Sequence, residues 1–180
     1  QIFYPCMQAA DIFYLNADIC QLGMDQRKVN VLARELGPKL GFWKPIAVHH
    51  HMLMGLGEPP KGDATVERAI AMKMSKSNPN SAIFMTDSNE DVVRKLRKAY
   101  CPEKQANDNP ILEYCKYIVF EKVDTFVIER PEKFGGNLEF GNYEQLEKAF
   151  VGNDVHPLDL KNALSKYLIE IITPIRAKFK

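Results

Sequence analysis

Almost every residue from Pro5 to Leu15 is apolar, with only Gln8, Asp11 and Tyr14 interrupting, and Pro5 suits a first helical position. The pattern predicts a helix hydrophobic on all sides and therefore buried. Ala17 to Leu22 then reads as a short strand and Gly23 as a turn. Asp25 to Leu36 reads as an amphipathic helix with Val29, Leu32, Ala33 and Leu36 at helical spacing, ended by Gly37-Pro38. Pro45 to His50 suggests a second strand, and this helix–strand alternation belongs to a parallel α/β sheet. Glycines and prolines from Gly55 to Gly62 predict a long exposed loop. Beyond Phe84 the pattern turns helical. Asp87 to Tyr100 carries Val92, Val93, Leu96 and Ala99 behind a Ser88 cap. Asn109 to Phe120, Asn142 to Phe150 and Pro157 to Phe179 read as further helices, and Phe126 to Phe134 as an extended connector closed by Gly135-Gly136. A boundary near Thr86 therefore separates an α/β region, residues 1–86, from a mainly α domain, residues 87–180.

Composition narrows the class. With 180 residues, 46% hydrophobic and 26% charged, disordered and collagen-like chains are excluded. The 24 basic and 23 acidic residues nearly cancel to a formal +1, so any nucleic acid is met locally rather than by an overall field. No apolar run approaches the roughly 20 residues of a membrane span, so no membrane partner is expected, and no secretory signal opens the chain. The expectation is a cytoplasmic home in which Cys6, Cys20, Cys101 and Cys115 are free thiols packed as small hydrophobes. Gln1 is not Met, and the opening residues read as the end of a strand, so the chain is expected to be cut from something longer.

Several side chains carry candidate chemistry. Tyr4, Gln8 and Asp11 sit at i, i+4 and i+7, on one helix face. An ionised carboxylate on a buried apolar helix needs a partner, either a ligand or a structural one from the protein itself. Gln26 follows a strand and a glycine turn, at the carboxyl end of the sheet where open α/β sheets bind ligands; Asp25 beside it has the plainer role of a helix cap. Lys73-Met74-Ser75-Lys76-Ser77 places two ammonium groups and two hydroxyls on a loop, apt for a polyphosphate on which negative charge develops. Chance supplies that string on the order of 10⁻⁴ times in such a chain. His49, His50 and His51 are consecutive, and neighbours on a strand point to opposite faces, so they are assigned no metal. Phe134, before two glycines, offers either an exposed ring for a nucleobase or a cover for the domain core. His156-Pro157-Leu158-Asp159 opens the last helix, where an acid favours the helix dipole with or without a ligand. Arg94, Lys95, Arg97 and Lys98 form a local basic cluster, most simply a solvated face.

Taken together, Tyr4-Pro5 leading to Gln8 and Asp11, Gly23 to Lys28, the KMSKS string, Ala99-Tyr100-Cys101, Arg130 to Gly136 and His156 to Asn162 resemble the tyrosyl-tRNA synthetases of archaeal and eukaryotic type, essentially end to end. The resemblance implies the second half of a Rossmann-like parallel sheet domain followed by a helical anticodon-binding domain. It implies a class I ligase that joins tyrosine to ATP, releases pyrophosphate and passes the tyrosyl group to tRNA(Tyr). Asp11 would then accept from the substrate phenol, and Tyr4, Gln8 and Gln26 would hold its α-ammonium. Lys73, Met74, Ser75, Lys76 and Ser77 would bind ATP, with Lys73 and Lys76 catalytic and Mg2+ accompanying the nucleotide. Phe134 would stack on the first anticodon base, Asp159 would accept from the edge of that guanine, and His156 would sit beside them.

The family's other ATP signature, His-x-Gly-His, does not occur in these residues. The expected partners therefore include an amino-terminal half, without which the adenylate should not form, and the whole protein is expected to be a homodimer. The rival readings are a non-catalytic tRNA-binding or protein-interaction module and the related tryptophanyl enzyme. Asp11 favours a phenol over an indole.

Overall fold

A computed structural model describes residues 2–60, 72, 74 and 77–179. It divides into two compact units, Gln1–Met52 and Leu53–Lys180.

In the first unit, α1 (Tyr4–Tyr14) starts on Pro5, β1 (Ile19–Gly23) follows, and a 3-10 turn (Met24–Gln26) runs into α2 (Arg27–Leu36). β2 (Ile46–His50) returns beside β1 in parallel, with Ile19 opposite Ile46 and Gly23 opposite His50. The expected parallel pairing is thus present. Ala9 and Ile12 of α1, Cys20 of β1 and Ala33 of α2 form the core, and Phe13 stacks on Phe42 at 4.7 Å between ring centroids. The Arg34 guanidinium donates to the Pro45 carbonyl and fixes the entry to β2.

The all-round burial predicted for α1 does not hold. Only Ala9 and Ile12 are buried, while Tyr4, Met7 and Tyr14 are largely exposed. Within this unit α1 has α2 to pack against on one side, and its remaining apolar surface faces outward. Cys6, on that open surface, is exposed rather than packed as a small hydrophobe.

The second unit is built on helices. α3 (Asn89–Lys98) is capped by the Ser88 hydroxyl, which accepts from the Asp91 amide at 3.0 Å. α4 (Pro110–Tyr114) is capped by buried Asn109 and continues into a π-turn (Cys115–Val119). α5 (Tyr143–Val151) begins at Asn142, and α6 (Pro157–Arg176) begins at His156. Each side-chain cap satisfies an amide that the first helical turn leaves without an intrahelical partner. Leu160, Leu164, Leu168 and Ile172 recur every four residues along α6 and are buried with Val92, Leu96, Ile111, Leu112 and Phe150.

One feature departs from the sequence pattern. The stretch read as an extended connector is half of an antiparallel hairpin, β3 (Phe126–Ile128) with β4 (Leu138–Phe140), joined through a 3-10 turn (Glu132–Phe134). By packing, the residues from Leu53 onward group with the helices. Leu56 is the cause. It is 2% exposed inside the helical core, and its backbone pairs with Ser81 and Tyr100.

Candidate functional site

In the first unit, α1 and the 3-10 turn ahead of α2 bring Gln8 and Gln26 together. The Gln8 Nε2 donates to the Gln26 Oε1 at 3.0 Å, and the Gln8 Oε1 is buried without a partner among the described residues. An acceptor left so costs about 1–3 kcal/mol, which is tolerable where it is held for a donor that arrives later. Gly23 leaves room for two other side chains: a Cβ there would lie 2.3 Å from the Met52 sulfur and 2.8 Å from the Asp25 carboxylate. The His49 Nδ1 lies 3.4 Å from the Gly23 carbonyl on the same turn.

Tyr4 and Asp11 share the face of α1 that carries Gln8, and both are exposed. The expectation that Asp11 is an acid sunk among apolar side chains is therefore corrected for this unit: among the described residues the turn that carries Gln26 covers Gln8 and leaves Tyr4 and Asp11 exposed. The apolar cleft of about 480 Å³ lined by Cys6, Ala9, Phe13, Leu32 and Leu36 opens on the other face of α1. Asn30, one helical turn after Gln26 and 1% exposed, has both side-chain polar atoms unpartnered among the described residues. Sequence reasoning missed it, since an asparagine in a helix gives no sign of burial.

Of the KMSKS string, Lys73, Ser75 and Lys76 lie outside the described residues. Met74 is half-buried, with its sulfur 3.8 Å from the Tyr114 hydroxyl, and Ser77 is exposed. Burial pushes the Tyr114 phenol well above its ordinary range and keeps it protonated. Downstream, Asn78, Asn80, Ser81 and Lys98 line a cleft of about 190 Å³.

The basic cluster of α3 separates into two kinds of residue. Lys95 is buried, donating to Asp87 at 2.6 Å and to the Ala82 carbonyl at 3.0 Å beneath the Phe84 ring, so it is structural. Arg94 sits in solvent on Asp91 and Asn80. Its guanidinium, with the Ser88 hydroxyl, holds the Asp91 carboxyl below the usual carboxylate range.

At the other end of this unit Phe134 is 61% exposed at the close of the 3-10 turn, with the Lys133 ammonium 4.9 Å from its ring centroid. The ring is thus free on the surface and does not cover the core. Gly135 and Gly136 follow with φ of 95° and 71°, a left-handed pair that glycine adopts without strain. The His156 Nδ1 accepts from the Leu158 amide at 3.1 Å and caps α6, while Asp159 lies half-buried in the first turn. Along β2 burial alternates from His49 to His50, and among the described residues no group of three or more His, Cys, Asp or Glu could hold a metal ion.

The model of the class I tRNA synthetases (W and Y) matches residues 1–173. The chain belongs to this family. Among its relatives, the tyrosine–tRNA ligases of Thermococcus sibiricus and Pyrococcus abyssi are each 47% identical over the whole chain, which covers 52% of either protein. The chain thus spans about half the length of these relatives. The tyrosyl-tRNA synthetase of Pyrococcus horikoshii, solved with L-tyrosine, superposes with a TM-score of 0.88 at 46% identity over 98% of the chain and 52% of that protein. A Giardia lamblia tryptophanyl-tRNA synthetase, at 23% identity and a TM-score of 0.57, shares the fold. These matches give the chain the Rossmann-like and helical architecture of a synthetase over about half of such a protein's length. Among the described residues no helix of this synthetase chain is long and apolar enough to cross a membrane.

Proposed function

We propose that this chain is the carboxyl-terminal portion of a tyrosine–tRNA ligase, with residues 1–86 supplying half of the catalytic domain and residues 87–180 binding the anticodon. The observation that carries the reading is the Gln8–Gln26 amide pair, which offers an unspent Gln8 oxygen on the helix face that presents Tyr4 and Asp11. A tyrosine α-ammonium brings the donors that this oxygen lacks, and the Asp11 carboxylate accepts from the phenol. An indole has one weaker donor and a different reach, which favours tyrosine over tryptophan.

Adenylate formation joins the tyrosine carboxylate to the α-phosphate of ATP and expels pyrophosphate. Lys73 and Lys76 stabilise the charge that gathers on the leaving group, and the Ser75 and Ser77 hydroxyls donate to its oxygens. Mg2+ would accompany the phosphates of ATP and supply further positive charge there. The tyrosyl group then passes to the end of tRNA(Tyr), whose first anticodon base stacks on Phe134 and donates to Asp159, with His156 beside it. The amino-terminal half completes the tyrosine and ATP sites, and the whole enzyme works as a cytoplasmic homodimer.

The reading is tested by joining the 180 residues to the amino-terminal half of the Pyrococcus horikoshii enzyme and measuring amino-acid-dependent pyrophosphate exchange. Tyrosine should support exchange and phenylalanine should not. A site built around a hydroxyl rejects the analogue lacking it by about 10⁴–10⁵-fold, a range that comes from tyrosyl-tRNA synthetases themselves and not from this chain. Equal exchange with both amino acids would overturn the proposal.

A further inference from the structure

The residues proposed to read the anticodon come from two separate segments, the turn that carries Phe134 and the start of α6 that carries His156 and Asp159. A single side chain ties them together. The Arg130 Nε donates to the Gly136 carbonyl at 3.0 Å, and its Nη1 donates to the Asp154 carbonyl at 3.0 Å, two residues before the α6 cap. The Arg130 backbone amide donates to the Asn137 side chain at 3.0 Å, which closes the same turn from its other end. A charged donor to a carbonyl contributes more than a neutral one, and a planar guanidinium holds two acceptors in a fixed relation that a lysine cannot reproduce. Arg130 spends two of its three nitrogens on main-chain oxygens in this way, one on each segment.

We propose that Arg130 is a positioning residue for anticodon recognition: it sets the spacing between the Phe134 ring and the first turn of α6. The inference rests on the anticodon reading above and goes beyond it, because Arg130 need not touch RNA. Its effect is geometric. Released from Asp154, the turn bearing Phe134 keeps its ring but loses its register with Asp159, so a stacked base no longer meets the acid at hydrogen-bond distance. Stacking alone accepts any base, so the loss falls on discrimination more than on affinity.

The test uses the 180-residue chain and two tRNA(Tyr) transcripts, one with guanine and one with adenine at the first anticodon position, titrated at one salt concentration. The unaltered chain should prefer guanine by about tenfold, the range of one lost base contact. Arg130→Lys keeps the charge but bridges one carbonyl at most, and Arg130→Ala removes both. Each should reduce the preference below about threefold, with the lysine variant retaining the wild-type salt dependence. Full preference in Arg130→Lys would show that only charge matters and would overturn the proposal. Thermal melting of each variant accompanies the titrations, since a stability role alone lowers the midpoint and leaves the preference intact. Phe134→Ala separates the two levels of argument. If it binds both transcripts as the unaltered chain does, the anticodon reading fails; if it loses binding while both Arg130 variants keep their preference, only the positioning role fails.

Discussion

The two units treat their apolar side chains differently. In Leu53–Lys180 the long side chains of α3, α4, α5 and α6 interlock until Val92, Leu96, Ile111, Phe150 and Leu164 have essentially no exposure. In Gln1–Met52 the core is Ala9, Ile12, Cys20 and Ala33, and large residues such as Tyr4, Met7 and Tyr14 stay outside it. One unit completes itself within the described residues. The other meets its polar requirements only in part, with the Gln8 oxygen and the Asn30 amide unpartnered among the described residues. The lesson is that a closed core marks a part whose packing is complete, whereas orphaned amides beside an open apolar helix mark a part with contacts still to make.

Mutations can break or sharpen that contrast. The largest effect is expected from Phe150→Ala, which should cost the helical unit about 3–5 kcal/mol because a fully enclosed ring leaves a cavity. Phe13→Ala, on a partly covered ring in the other unit, should cost no more than about 1–2 kcal/mol by lost apolar area. Urea melts of each variant read the difference, and equal costs would abolish the contrast. Lys95→Ala strands the Asp87 carboxylate in a poorly hydrated place and should destabilise by about 3 kcal/mol. Asn30→Leu should act in the opposite direction, raising the thermal midpoint by the equivalent of about 1 kcal/mol as unpartnered amide atoms are removed. Ser88→Ala, which loses the α3 cap, should cost about 1 kcal/mol.

The smallest expected effect depends on pH. Arg94 and Ser88 lower the Asp91 carboxyl in the folded chain, so their stabilisation is fully present above the ordinary carboxylate range and is lost as pH falls through the lowered value. Melting midpoints between pH 5 and pH 2 should fall less steeply for Asp91→Asn, and identical slopes would remove Asp91 from the account.

Caps and periodicity made most of the helical unit legible, since Ser88, Asn109, Asn142 and His156 each announce a helix start and each is found there. The β3–β4 hairpin was hidden because its strands are three residues long and Pro131 interrupts the stretch between them. The burial of Leu56 is not legible in the sequence, because it stands among glycines and prolines where no period reveals it. For the proposed tyrosine site, spacing on α1 puts Tyr4, Gln8 and Asp11 on one face but does not say what covers it. The bond between Gln8 and Gln26 joins residues eighteen apart, and Arg130 reaches Asp154 across twenty-four, pairings that a local pattern does not encode.

Arg130 fastens its two segments by main-chain oxygens alone. The side chain of residue 154 is consequently a spectator, open to substitution over evolutionary drift without loosening the link, whereas the guanidinium has no substitute among the natural amino acids. Sequence variation around this loop should therefore reach position 154 and spare the donor.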